Sequence, residues 1–192
     1  WPSFVGATET GVSANENLCV MHTILALLGS TIASFYMSAK LGHGKFDPVH
    51  IANSTLAGGV AVGASARLAM TPVGAFVLGI VAGVVSVIGY AKSSPILESL
   101  GIFDTCGVGN LHGYPSILGG LASAFFVAVD ADNVNLPDIT GMPQFFRQLV
   151  GVAITLFVSM TSGYFTGLVM TGIGPSPVEY DDGVWWEGEY FE

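Results

Sequence analysis

The residues best suited to chemistry lie in one stretch, Asp104 to Gly120 (DTCGVGNLHGYPSILGG). It carries an acid, a histidine, a proline and five glycines, and it opens an apolar segment running on to Val129. In a soluble core helix such a mixture is poor design, because Gly and Pro lower helix stability. In a membrane, small residues let helix backbones approach, and neighbouring helices satisfy the backbone groups that Pro frees. A lone imidazole at membrane depth then marks a functional site. On a helix Val108, Gly109, Pro115, Ser116 and Gly119 fall on or near the face of His112. Most are small, so the imidazole is expected to project into a cleft. Asp104 precedes His112 by about 12 Å of helix axis at 1.5 Å per residue. That is beyond direct contact, which points to helix capping or a vestibule for the acid.

The elements that must position these residues follow from composition. Of 192 residues, 51% are hydrophobic and only 10% charged, with a mean hydropathy of +0.64. Soluble domains carry about 25% charged residues; this chain has too few to cover a surface and reads as an all-α integral membrane protein. Its 26 glycines suit closely packed helices. The net charge of -9 comes from acids outside the apolar runs and excludes nucleic acid as a partner. Cys19 and Cys106 have no redox or metal spacing and read as free thiols. No motif calls for a metal or cofactor. Neither a Ser/His/Asp set nor HExxH appears, so an enzyme has little support.

In chain order, Trp1 to Gly6 reads as the end of a helix already under way, so the chain is expected to be part of a longer polypeptide. Five spans follow, at about 18–39, 49–70, 72–91, 104–129 and 144–172, each near or above the ~20 residues a bilayer requires. Residues 1–174 make the membrane domain, and 175–192 an acidic tail. Asp47 and Pro48 read as the N-cap and first turn of the second span. Within it, Asn53, Ser54 and Thr55 are expected to hydrogen-bond between helices rather than accept a glycan. His22 reads as bonded to a neighbouring helix or near the interface, His50 as structural, and Arg67 as snorkelling to the interface. Ile96, Leu97 and Leu100 suggest a short amphipathic helix after Lys92. Lys40, Lys45 and Lys92 fall on one side and Arg67 and Arg147 on the other, which places the lysines and tail in the cytoplasm.

Four stretches carry a resemblance to the ammonium transporter and Rhesus glycoprotein family, the Rhesus branch in particular. DTCGVGNLHGYP from Asp104 resembles the family signature, and GKFDPVHIANSTLAGGVAVG from Gly44 resembles the run into and along an earlier helix. WPSF from Trp1 is similar to a helix end at the outer vestibule, and YDDGVWWE from Tyr180 to the acidic cytoplasmic tail. The resemblance implies an eleven- or twelve-helix bundle with two inverted halves, assembled as a homotrimer with one pore per subunit. This chain would be the second half. His112 then matches the second of two stacked pore histidines, Phe4 one of two aromatic gate rings, Val108 an apolar lining position, and Asp104 an acid at the inner end of the histidine helix. The first histidine and the second ring would belong to an N-terminal half not present here. Gly109, Ser116 and Val5 depart from the usual pattern, which bears on vestibule selectivity more than on pore architecture.

What the resemblance implies for function fits the residue types. Burying a bare ammonium ion is prohibitively costly, whereas neutral ammonia crosses an apolar passage far more cheaply. A pore can therefore attract the cation with aromatic faces, remove its proton at the outer vestibule, and conduct ammonia past histidines that donate or accept a hydrogen bond. The expected activity is channel-like transport of ammonia or ammonium in the plasma membrane, with carbon dioxide as a possible second substrate. The alternative is a non-conducting structural or partner-binding Rhesus-like subunit. A histidine in the missing half discriminates the two.

Overall fold

The computed structural model describes residues 1–9, 13–68, 70–129 and 141–174. The acidic loop around Asp132 and the tail 175–192 lie outside the described residues. Trp1–Val152 form one compact unit and Ala153–Glu192 a second. In chain order the helices are α1 (Pro2–Gly6), α2 (Ser13–Leu41), α3 (Pro48–Ser54), α4 (Ala57–Val62), α5 (Pro72–Ile88), α6 (Ser94–Ser99), α7 (Tyr114–Val129) and α8 (Gly141–Ile173). Among the described residues there is no strand, and four helical stretches are long and apolar enough to cross a membrane: Asn15–Leu41, Pro72–Ser99, Gly109–Val129 and Pro143–Ile173. The protein is an integral, multi-pass membrane protein. Within the second unit, α8 carries exposed apolar side chains such as Phe157, Met160 and Phe165.

The long helix α2 is the hub of the first unit and packs on α5, α4, α1 and α3. Close approach is possible because the contact residues are small. A Cβ at Gly58 of α4 or at Gly79 of α5 would fall on the Ala26 carbonyl of α2. Two helices thus meet the same turn of α2 at backbone distance, which only glycine permits. Ala26, Ala57, Ala61, Ala75 and Ala82 are buried around this crossing.

The segment expected as one span from 49 to 70 is not one continuous helix. It comprises α3 and α4 separated by a turn at Thr55–Leu56, and turns again from Gly63. The polar side chains explain the break. Asn53 donates to the Val49 carbonyl at 3.0 Å and Thr55 Oγ1 to the Ile51 carbonyl at 2.8 Å, a local bonding that competes with the helix. Gly58, Gly59 and Gly63 add little helix propensity. Carbonyls freed at such breaks need partners at membrane depth. Ser30 Oγ donates to Thr55 O at 2.6 Å, and His22 Nδ1 bonds Ala66 O at 2.8 Å. Ser86 Oγ also donates to Ser54 Oγ at 2.9 Å, tying α5 to α3. The bonds of His22 and Ser54 are the interhelical ones anticipated, whereas the Asn53 and Thr55 side chains, expected to do the same, bond carbonyls of their own helix. At the start of α3, Asp47 accepts from Val49 N at 2.8 Å and His50 N at 3.3 Å, with Pro48 in the first turn.

Two helices are widened at matched positions. Gly89–Ser93 forms a π-helical turn between α5 and α6, and Gly109–Gly113 forms another leading into α7. Each begins on a glycine and is followed by a proline six residues on, Pro95 and Pro115. A proline cannot donate to the carbonyl four residues back and its ring excludes that carbonyl, so the helix accommodates an extra residue. The two turns face each other. Asn110 Nδ2 donates to Ser94 Oγ at 2.7 Å, the Ser93 and Tyr114 hydroxyls bond, and the Asn110 side chain lies against Gly89.

Candidate pore-lining site

His112 stands in the second π-helical turn, in a half-buried position. The extra residue in that turn breaks the straight α-helical register used to place neighbours on its face. Such turns recur at functional sites in other helices. The ring meets Trp1 at a centroid distance of 5.9 Å and an interplanar angle of 40°. Trp1 meets Phe4 edge to face, at 5.8 Å and 84°. The three rings form a column reaching from the π-helical turn before α7 to α1, with Trp1 lying over Gly59 of α4. The short helix α1 holds this geometry through Pro2 in its first turn and through Val5 and Gly6, which are buried against α2. Phe4 is 70% exposed and Val108 is 51% exposed.

Trp1 is the ring sequence reasoning missed. Phe4 was the expected gate, yet the residue that touches both Phe4 and His112 is Trp1. Its spacing of three residues from Phe4 on a helix was the available signal.

Asp104 is not in this column. Its Oδ2 accepts a hydrogen bond from Gly109 N at 2.8 Å, in the turn before the π-helical segment. The helix expected to run from Asp104 therefore starts at Gly109, and the carboxylate caps it. The departure at Gly109 fits this cap, because a Cβ there would sit 2.9 Å from Asp104 Oδ2. Asp104 also lines a cleft of about 420 Å³ with Asp47, His50, Asn53, Tyr90 and Cys106. There His50 Nδ1 lies 3.2 Å from Ser38 Oγ, its ring is 6.0 Å from that of Tyr90, and Tyr90 donates to Gly107 O at 2.8 Å. That Asp47 and Asp104 line one cleft had no signal in the sequence. Cys106 and the buried Cys19 are both free thiols.

Arg67, expected to reach the interface, makes an ion pair. Its Nε lies 3.3 Å from Glu9 Oε2, linking the end of the broken segment to the residues after α1.

Residues 1–181 match the model of the Ammonium Transporter Family. The chain belongs to this family. Among curated relatives it is 39% identical to ammonium transporter Rh type B of Tetraodon nigroviridis, over 97% of this chain and 44% of that protein. It is 36% identical to the human Rh type B protein over the same shares. Among solved structures, Rh50 of Nitrosomonas europaea, from the Rhesus protein family of channels, superposes with a TM-score of 0.79 at 34% identity. That match covers 100% of this chain and 46% of Rh50. A Sensor Amt Protein superposes with a TM-score of 0.74 at 25% identity, over 91% and 41%. The chain thus spans somewhat under half the length of these relatives and has the helical bundle of the ammonium transporter family.

Proposed function

We propose that this chain supplies one half of a pore that conducts ammonia, with ammonium as the species recruited from solution. The observation that carries this reading is the column Phe4–Trp1–His112, which joins exposed aromatic surface to an imidazole near the start of a membrane-length helical stretch. Aromatic faces attract a small cation by about 0.5–2 kcal/mol. Past them the apolar surround, including Val108, disfavours the ion, so ammonium transfers its proton to water at the outer vestibule and enters as ammonia. His112 then hydrogen-bonds neutral ammonia as donor or acceptor. Asp104 acts on the site indirectly, by capping the helix that carries His112. The names of the relatives as ammonium transporters support the substrate.

In the same reading a second half of the fold completes the pore with its own histidine and aromatic ring, and three such units assemble as a homotrimer in the plasma membrane. Residues 1–174 are the membrane domain, with Lys40, Lys45, Lys92 and the tail 175–192 in the cytoplasm.

The test is stopped-flow ammonia flux into proteoliposomes made with the complete polypeptide. His112→Ala is expected to reduce flux at least tenfold, the scale of 1.4 kcal/mol or more at the barrier. Wild-type flux in His112→Ala would show that the imidazole is only a packing residue.

A further inference from the structure

We propose that Asn110 is a positioning residue for His112, holding the second π-helical turn against the first so that the imidazole keeps its direction. The inference rests on the reading of His112 as the pore imidazole. Asn110 and His112 share the turn Gly109–Gly113. They are two residues apart, and side chains at that spacing do not share a helix face. Asn110 is 2% exposed and its Nδ2 donates to Ser94 Oγ at 2.7 Å, whereas His112 is half-buried against Trp1. One residue of the turn is thus anchored to the neighbouring helical stretch, and another carries the ring of the aromatic column.

Three observations make this anchor matter. The first is register. A π-helical turn holds one residue more than an α-helical turn, and expelling it would swing the imidazole by about 100°, the angle of one α-helical residue. The second is that the first π-helical turn and Ser94 hold the His112 segment at three points. Tyr90 donates to Gly107 O at 2.8 Å before His112, Ser94 accepts from Asn110, and the Ser93 and Tyr114 hydroxyls bond after it. Of the three, the Asn110 bond is the one made from inside the second turn. The third is fit. A Cβ on Gly89 would fall on Asn110 Oδ1, so glycine there admits the amide. Turning the amide away from Ser94 would leave a donor buried, which costs more than losing an exposed bond.

The test is concentration-dependent ammonia flux into proteoliposomes made with the complete polypeptide. Asn110→Ala is expected to lower the maximal rate by roughly 3- to 10-fold, less than the roughly 100-fold that a 1 Å misplacement can carry. The half-saturating ammonium concentration stays at the wild-type value, because recruitment at Phe4 and Trp1 precedes the imidazole. In a His112→Ala background the same change has no further effect, because no imidazole remains to be positioned. Ser94→Ala removes the acceptor from the other side and lowers the rate likewise, which tests the inference even where Asn110→Ala does not fold. Ser94→Thr keeps a hydroxyl acceptor and restores the rate. Wild-type rates in both Asn110→Ala and Ser94→Ala overturn the proposal. So does a loss of the same size in the His112→Ala background, which would make Asn110 a packing residue. Wild-type flux in His112→Ala alone, by contrast, removes the reading on which the proposal rests and the proposal with it.

Discussion

His22 Nδ1 donates to the carbonyl oxygen of Ala66 at 2.8 Å, from the middle of a continuous helix to the turn that follows a broken one. The carbonyl can only accept, so Nδ1 carries a proton; among the described residues Nε2 is buried without a partner. The bond supplies at membrane depth what water would supply elsewhere. His22→Ala removes it and leaves a cavity at a site with no exposure. The two effects together are expected to lower stability by about 2–4 kcal/mol. His22→Gln restores a donor and is expected to recover part of the loss. Apparent melting temperature in detergent reads both, while ammonia flux per folded protein stays near wild type.

Gly79 and Gly163 each begin a glycine pair four residues apart, yet the structure treats them differently. A methyl group on Gly79 would fall on the Ala26 carbonyl, whereas among the described residues nothing lies within 4 Å of one on Gly163. Gly79→Ala is therefore expected to force α2 and α5 apart, at about 1–3 kcal/mol. Gly163→Ala is expected to stabilise by about 0.5–1 kcal/mol, because it lowers the entropy lost in forming the helix. The two apparent melting temperatures should move in opposite directions.

The Asp104 cap separates a structural from an electrostatic role. Asp104→Ala loses the acceptor for Gly109 N and is expected to lose about 1 kcal/mol. Asp104→Asn keeps an oxygen acceptor and removes the charge, so its stability and flux are both expected near wild type. A stable Asp104→Asn protein with no flux would assign the charge itself to conduction. Gly109→Ala provides a third reading, since its methyl group would displace the carboxylate from the cap.

Much of the bundle was legible in the sequence because membrane depth restricts the options: long uncharged runs must be helical, and polar side chains inside them must find partners. His22 and Ser54 followed that rule. The 49–70 segment escaped it, since hydropathy is blind to a backbone break whose carbonyls are satisfied by Ser30 and His22 from another helix. The repeated glycine-to-proline spacing at Gly89–Pro95 and Gly109–Pro115 was visible, but its meaning depends on the two π-helical turns facing each other. The part of Trp1 in the aromatic column was hidden for the same reason, because Trp1 and the turn that carries His112 meet only once the chain has folded, with Trp1 over Gly59 of α4.

The aromatic column carries the last expectation. If Phe4 and Trp1 attract the cation, losing either face weakens recruitment without abolishing passage. Phe4→Leu is expected to raise the half-saturating ammonium concentration by roughly 2- to 30-fold, the equivalent of 0.5–2 kcal/mol, with the maximal rate little changed. Trp1→Leu removes a cation-attracting face and also the ring against His112, so its maximal rate is expected to fall as well. Because Trp1 and Phe4 touch, the double variant should lose less than the two single losses combined. Concentration-dependent flux in proteoliposomes measures all three. An unchanged half-saturation in Phe4→Leu would mean that this ring only packs against Trp1, and recruitment would then rest on Trp1 alone.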